Sequence, residues 1–174
     1  MKLLFIWDGR VSLPESRRKA VEAALDLYPE AEAICITRNA HFVSDRVQVI
    51  PWDDLLCPML DRFDLRAVPY RWLEPVTYSD WARFWFLAHN PDTLYLDTDA
   101  TVLRRLNLAD KFLYPVGNIY ALYDPPRFDG ENLLHLMQER AKHNIGILID
   151  FANKFSPEWA SPLPPGLVEH HGRS

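Results

Sequence analysis

The sequence predicts an α/β domain built on an open sheet, and the first fifty residues carry most of this prediction. The apolar run from Lys2 to Trp7 is broken by Asp-Gly at 8–9, which is typical of a buried strand that ends in a turn. Ser-Leu-Pro-Glu at 12–15 has the form of a capping box that opens a helix. Strands are expected at 33–36 and 47–51. A strand, a helix and a strand in this order open an α/β sheet.

The rest of the chain continues this alternation. Residues 51–75 are rich in tryptophan, proline and charge, and we expect them to be irregular. Ser79 is then the predicted cap of a helix from Asp80 to about His89, which carries a stripe of large apolar side chains. Leu-Tyr-Leu at 94–96 is a predicted buried strand. The later elements have weaker patterns and are a strand at 119–123, a helix at about 131–142, a strand at 144–149 and a proline-rich tail from residue 156.

Length and composition limit the classes of protein that this chain can be. Its 174 residues predict a single domain over residues 1–174, since no linker or repeat divides them. A formal net charge of −5 provides no general attraction for nucleic acid or an anionic membrane. No apolar stretch is long enough for a signal peptide or an integral membrane segment, so a cytoplasmic protein is expected. Cys35 and Cys57 both lie in apolar runs, which predicts reduced core thiols.

The most informative residues follow the predicted strand at 94–96. Asp97 and Asp99 are separated by one threonine, and a strand end would hold both carboxylates at the edge where open α/β sheets bind ligands. Two like charges at this spacing repel, and a hard divalent cation relieves the repulsion. A cation held by carboxylates in turn suggests a phosphorylated substrate. The alternative is a turn capped by aspartates, which is common at strand ends.

A second polar group lies on the helix that precedes this strand. Asp80 and Arg83 are one turn apart and share a helix face, which alone is typical of a surface ion pair. Together with the aspartates, however, Ser-Asp-x-x-Arg at 79–83 and Leu-Tyr-Leu-Asp-Thr-Asp at 94–99 resemble the DXD-motif glycosyltransferases. The nearest patterns are those of the mannosyltransferase and capsular-polysaccharide transferase group and of the glucosylating clostridial toxins. The resemblance covers residues 76–103 and extends weakly to the first strand.

This resemblance implies a single GT-A-like domain, the nucleotide-diphospho-sugar transferase fold, with a mixed sheet and flanking helices. It implies transfer of a hexose from a nucleoside diphosphate sugar to a carbohydrate or other hydroxyl acceptor, with retention of configuration. Asp97 and Asp99 would be catalytic, with Asp99 as ligand of Mn²⁺ or Mg²⁺ and Asp97 in contact with sugar and ribose hydroxyls. Asp80 and Arg83 would hold the donor sugar. Trp7 would line the base pocket, and its alternative is a core tryptophan.

Two weaker matches lie in the second half of the chain. Asn144 resembles an asparagine near the sugar, although an asparagine before a strand is often a turn residue. His170 or His171 resembles a further metal ligand that some members supply near the C-terminus, and the alternative is a frayed tail. The Gly-Gly that precedes the strand in the family and its Thr-Gly-Pro element are missing. These departures concern the acceptor side, so nucleotide-sugar binding is better supported than turnover.

Two other functions remain open. The run from Asp97 to Thr101 also fits the haloacid-dehalogenase phosphatases, in which Asp97 would be the nucleophile and Asp99 the general acid and base. That motif normally lies near the N-terminus, and no lysine with paired aspartates follows it here. The other alternative is a non-catalytic nucleotide-sugar binding module, because the acceptor elements of the family are incomplete.

Overall fold

A computed structural model describes residues 1–7, 12–38, 44–62, 75–106, 112–114, 121–123, 130–131, 134–135, 138, 160–162 and 166–170. Asn144, His171 and the predicted strand at 144–149 lie outside the described residues. Within the described part, the helices and strands follow one another in this order: β1 (Lys2–Trp7), α1 (Glu15–Leu27), β2 (Glu32–Thr37), β3 (Gln48–Pro51), α2 (Trp52–Arg62), α3 (Pro75–His89), β4 (Thr93–Leu96), β5 (Ala100–Val102), β6 (Phe112–Tyr114), β7 (Ala121–Tyr123), β8 (Ala160–Pro162) and β9 (Val168–His170).

Seven of these strands form one mixed sheet in the order β3-β2-β1-β4-β7-β6-β8. β1 is parallel to β2 and β4, and β2 is parallel to β3, with Trp7 opposite Thr37 and Leu4 opposite Tyr95. β7 is antiparallel to β4 and β6, and β8 is parallel to β6. The mixed sheet with flanking helices is therefore confirmed. Since β1, β2, β3 and β4 run in one direction, their carboxyl ends lie at the same edge.

The parallel strands are buried on both faces, because successive side chains of a strand point to opposite sides of the sheet. Leu3 and Phe5 of β1 pack in one core cluster with the buried stripe of α1. Leu4 and Ile6 belong to a second cluster with α2 and α3, in which Trp81 is a large member. Burial of each such side chain contributes about 1.5–3 kcal/mol, so these clusters hold the sheet edge in place.

Two helices begin elsewhere than the sequence predicts. α1 begins at Glu15 with Pro14 at its N-cap position and without a side-chain cap hydrogen bond, so the predicted capping box at 12–15 is wrong. The fixed φ of proline preorganises the first turn instead. α3 begins at Pro75 rather than Asp80, so the predicted cap, Ser79, lies inside the helix. Its side chain and carbonyl are used by Arg83, as described below.

The predicted irregular segment after residue 51 is wrong in its first half, where α2 forms. Pro58 lies inside this helix. It argued against a helix in the sequence, because proline lacks the N–H that a helix interior uses. The helical period is nevertheless present, since Trp52, Leu56 and Met59 are its buried residues. Cys57 points away from this stripe and is exposed, which corrects the expectation of a core thiol.

The remaining elements agree in part with expectation. Cys35 of β2 is a buried free thiol, and burial raises its pKa to about 12. The described residues between 130 and 138 are helical, where a helix is predicted. The sequence does not predict β5, β6, β8 and β9. Of these, β5 and β9 form a separate antiparallel pair. No helix in the described part of the chain combines the length and the apolar composition that a membrane span requires.

Candidate functional site

The candidate site is the turn between β4 and β5 at the carboxyl edge of the parallel strands. The Ala100 N–H donates to the Asp97 carbonyl at 3.2 Å, which closes the turn. The Thr98 side chain is buried, whereas the side chains of Asp97 and Asp99 remain 25% and 18% exposed. The buried Thr98 side chain thus holds the turn against the protein, and both carboxylates remain accessible to a ligand.

Arg83 of α3 lies beside Asp97. Its Nη1 is 3.8 Å from Asp97 Oδ1, and its Cζ is 4.5 Å from the centroid of the Tyr95 ring. One turn earlier in the helix, Ser79 accepts two hydrogen bonds from the guanidinium, at 3.1 Å on its carbonyl and 3.2 Å on its hydroxyl. Only 6% of Arg83 is exposed. These contacts fix the guanidinium firmly, and the Tyr95 O–H donates to the same Asp97 oxygen.

Arg17 of α1 approaches the other aspartate. Its Nη1 donates to Thr98 Oγ1 at 2.9 Å, and its Nη2 lies 3.8 Å from Asp99 Oδ2. Its Cζ is 5.2 Å from the centroid of the Trp7 ring at the end of β1. Each of the two aspartates therefore has an arginine at the same distance, and the arginines come from different helices. The local charge of these four side chains sums to zero.

The other residues predicted for the site are placed less completely. Asp80 lies in α3, one turn before Arg83, and its side chain is outside the described part of the structure. The backbone of His170 pairs with Ala100, the residue directly after Asp99, through the β5–β9 ladder. The tail therefore does return to the turn at this point.

The donor set of the turn suits a hard divalent cation. Among the described side chains, no group of three or more His, Cys, Asp or Glu could hold a metal ion. Mg²⁺ is commonly bound by only one or two carboxylates, together with substrate phosphates and water. Asp97 and Asp99 offer carboxylate oxygens, which are the ligands that Mg²⁺ and Mn²⁺ prefer. The residues present thus fit a cation that shares its coordination with a phosphorylated ligand.

Sequence reasoning missed Arg17 and the hydroxyl of Tyr95. In the sequence, Tyr95 is interpreted only as a residue of an apolar strand, and its hydroxyl is given no role. The position of Arg17 could have indicated that its side chain lies on the buried face of α1. Arg17 precedes Ala20 and Ala24, two buried residues of this helix, by three and seven positions. A charged residue that continues the apolar stripe of a helix must find a partner at the buried surface.

A cavity opens at the same sheet edge, beyond the ends of β2 and β3. Its volume is about 400 Å³, within the range of small-molecule sites. Arg38 is one of the lining residues, and its Cζ lies 4.7 Å from the Trp52 ring centroid. The Trp52 ring in turn stacks on Tyr78 at 3.5 Å between centroids. The lining residues are Thr37, Arg38, Pro51, Trp52, Asp53 and Leu56.

Comparisons with known proteins support the fold. The sequence matches no protein family and no curated protein. Among solved structures, it is similar to the PaToxG glycosyltransferase, with a TM-score of 0.58 and 12% identity over 84% of this chain. The chain spans 63% of the length of that protein. It is also similar to the galactosyltransferase LgtC in complex with donor and acceptor sugar analogues, with a TM-score of 0.51 and 14% identity over 99% of this chain and 87% of LgtC.

A third similar structure performs other chemistry. The CTP:phosphocholine cytidylyltransferase LicC of Streptococcus pneumoniae matches with a TM-score of 0.52 and 9% identity, over 97% of this chain and 92% of LicC. At these identities the similarity shows a common fold, and activity has to be argued from the site. The fold does not favour the haloacid-dehalogenase alternative. The chain has a GT-A-like fold, the fold of glycosyltransferases.

Proposed function

We propose that this chain is a metal-dependent glycosyltransferase that moves a sugar from a nucleoside diphosphate sugar to an acceptor hydroxyl. The observation that carries the proposal is the turn at Asp97 and Asp99, where two accessible carboxylates lie at the end of a buried strand with an arginine beside each. Ligands of open α/β sheets bind at this edge. The GT-A-like fold supports the proposal, because known glycosyltransferases share it.

The Asp97 side of the turn suits a sugar. A carboxylate accepts hydrogen bonds from hydroxyl groups, and Arg83 and Tyr95 fix the orientation of this one. The guanidinium is itself held by Ser79, so the carboxylate is preorganised before any ligand binds. We assign the donor sugar to Asp97, with Arg83 as positioning residue and Asp80 as a neighbouring contact.

The Asp99 side suits the diphosphate. Asp99 would hold Mn²⁺ or Mg²⁺, with His170 or His171 of the tail as candidates for a further ligand. When bound, the cation supplies positive charge that stabilises the leaving diphosphate. Arg17 lies on the same side of the turn, and a guanidinium binds phosphate oxygens well. Trp7, over whose ring Arg17 lies, is assigned to the nucleoside, and Asn144 remains a candidate sugar contact.

The proposed reaction needs no protein nucleophile. The acceptor oxygen forms a bond to the anomeric carbon while the bond from that carbon to the diphosphate oxygen breaks. The diphosphate leaves with the electron pair and takes the proton of the acceptor hydroxyl. Attack from the face of the leaving group retains the anomeric configuration, so we propose a retaining enzyme. Preorganised charge around the leaving group is then the main contribution of the protein.

A donor panel tests this function. The protein is incubated with uridine, guanosine, cytidine and adenosine diphosphate sugars, with Mn²⁺ or with EDTA, and release of the nucleoside diphosphate is followed. Turnover with one donor that requires Mn²⁺ and falls at least 100-fold in Asp99→Ala is expected, which corresponds to about 2.7 kcal/mol. Asp61→Ala, at an exposed aspartate of α2, is the matched control and should retain activity.

Other outcomes would favour the alternatives. Donor binding without release of diphosphate would indicate a binding module. Hydrolysis of an aryl phosphate that Asp97→Asn abolishes would favour the phosphatase and overturn the proposal. Release of pyrophosphate from a nucleoside triphosphate and a phosphorylated alcohol would instead place the chain with nucleotidyltransferases of this fold.

A further inference from the structure

The Arg17 guanidinium faces the carboxylate that the proposed function gives to a divalent cation. We propose that Arg17 competes with this cation for Asp99 and thereby keeps the affinity of the ligand-free site for the metal low. The inference rests on the proposed function, because it needs Asp99 to be the metal ligand. It goes beyond that function because it gives Arg17 an effect on metal affinity, and Arg17 lies on α1, outside the helix and turn that carry the family resemblance.

The first step of the argument is the location of the charge. Arg17 Nη2 lies 3.8 Å from Asp99 Oδ2, with the two side chains only 23% and 18% exposed. The negative charge of Asp99 is therefore partly compensated before a metal binds. A divalent ion held by Asp99 would be repelled by this guanidinium. Even in water, a divalent ion and a unit charge about 5 Å apart repel by an amount that corresponds to about tenfold in affinity.

The second step is that Arg17 is held where it is. Its hydrogen bond to the buried Thr98 and its position over the Trp7 ring tie the guanidinium to two elements besides α1. A guanidinium is attracted by the electron-rich face of an aromatic ring, and the hydrogen bond adds to this attraction. Arg17 therefore cannot leave the carboxylate without losing both contacts. Its positive charge stays near Asp99 when a cation arrives.

Titration with Mn²⁺ alone tests the proposal. Free Mn²⁺ is measured by electron paramagnetic resonance at low ionic strength, in the wild-type protein and in four variants, one of which, Asp99→Asn, removes the proposed metal ligand. Arg17→Gln is expected to bind Mn²⁺ about tenfold more tightly than wild type. Arg18→Gln makes the same charge change at the next, exposed residue of α1 and should stay within about twofold. Arg17→Lys keeps the charge and should stay within about threefold.

The outcomes separate this inference from the proposed function. If Arg17→Gln and Arg18→Gln bind Mn²⁺ equally tightly and Asp99→Asn does not bind it, Arg17 does not compete with the cation. That result would overturn this inference and leave the proposed metal site intact. Weaker binding in Arg17→Gln would overturn it too, since Arg17 would then support the metal. Absence of Mn²⁺ binding in every variant would overturn the metal site itself. Arg17→Met replaces Arg17→Gln if circular dichroism shows that the latter does not fold.

Discussion

Substitution of Arg83 by methionine tests whether the Asp97 side of the site depends on a fixed positive charge. Methionine keeps an unbranched apolar stem and removes the guanidinium. The change therefore deletes the 3.8 Å contact to Asp97, the two hydrogen bonds to Ser79 and the position of the charge over Tyr95. We expect a loss of about 2–3 kcal/mol in the free energy of unfolding.

The magnitude follows from burial and distance. Removal of one partner from a fully buried ion pair costs about 3–5 kcal/mol, because the other charge is left without compensation. Arg83 is 6% exposed and qualifies as buried, whereas the Asp97 side chain is 25% exposed and is partly hydrated. The separation of 3.8 Å is also longer than a hydrogen bond. Both facts place the expected cost below the range for a fully buried pair.

Urea unfolding of a double-mutant cycle measures this contribution. Arg83→Met, Asp97→Asn and the double variant are compared with wild type at neutral pH. The cost of Arg83→Met should be at least 1 kcal/mol smaller in the Asp97→Asn background, since no carboxylate is then left unpaired. An equal cost in both backgrounds would refute the ionic coupling and attribute the loss to the Ser79 bonds and packing alone.

Two further predictions concern the thiols and an exposed ion pair. A thiol reagent at about pH 8 should modify one cysteine in the native protein, Cys57, and both after unfolding, because burial raises the pKa of Cys35 to about 12; native labelling that survives Cys57→Ser would contradict this. The Arg105 side chain lowers the pKa of Glu30 from 4.5 to about 2, so the pair stabilises the fold above about pH 4.5 and loses this effect as the pH falls toward 2. Arg105→Gln should therefore lower the free energy of unfolding more at pH 7 than at about pH 3, and an equal loss at both values would exclude the linkage.

The buried parallel strands could be predicted because their signal is local. Buried parallel strands read as continuous apolar runs that end in turn residues, and β1, β2 and β4 follow this pattern closely. The helical stripe of α1 is equally local. In each case the residues that form the element also carry the evidence for it, and only the ends shifted by one or two positions.

Other parts of the fold could not be read in this way. α2 was missed because Pro58 and the charged residues outweighed a clear buried stripe. β5 and β9 are three residues long and pair across more than sixty positions of sequence. A strand this short has no periodicity of its own, and its existence depends on where the distant partner lies.

The candidate site, too, could be predicted only where its signal is local in the sequence. The sequence indicated Asp97, Asp99 and Arg83 as site residues. Whether Arg83 lies close to Asp97, however, depends on whether the chain turns back after α3. The turn at residues 90–92 does this, with Asp92 at a φ of 64°. Arg17 lies some eighty residues before Asp99, and only the packing of α1 beside β5 brings the two together.

Calorimetric titration with a nucleoside diphosphate tests the central claim most directly. UDP and GDP are titrated into wild type and Asp99→Asn, each in Mn²⁺ and in EDTA. The account predicts that one nucleotide binds wild type at least tenfold more tightly with Mn²⁺ than with EDTA, and that Asp99→Asn abolishes this difference. Binding that is equally tight in Mn²⁺ and EDTA, or a metal effect that persists in Asp99→Asn, would contradict the assignment of Asp99 and with it the proposed site.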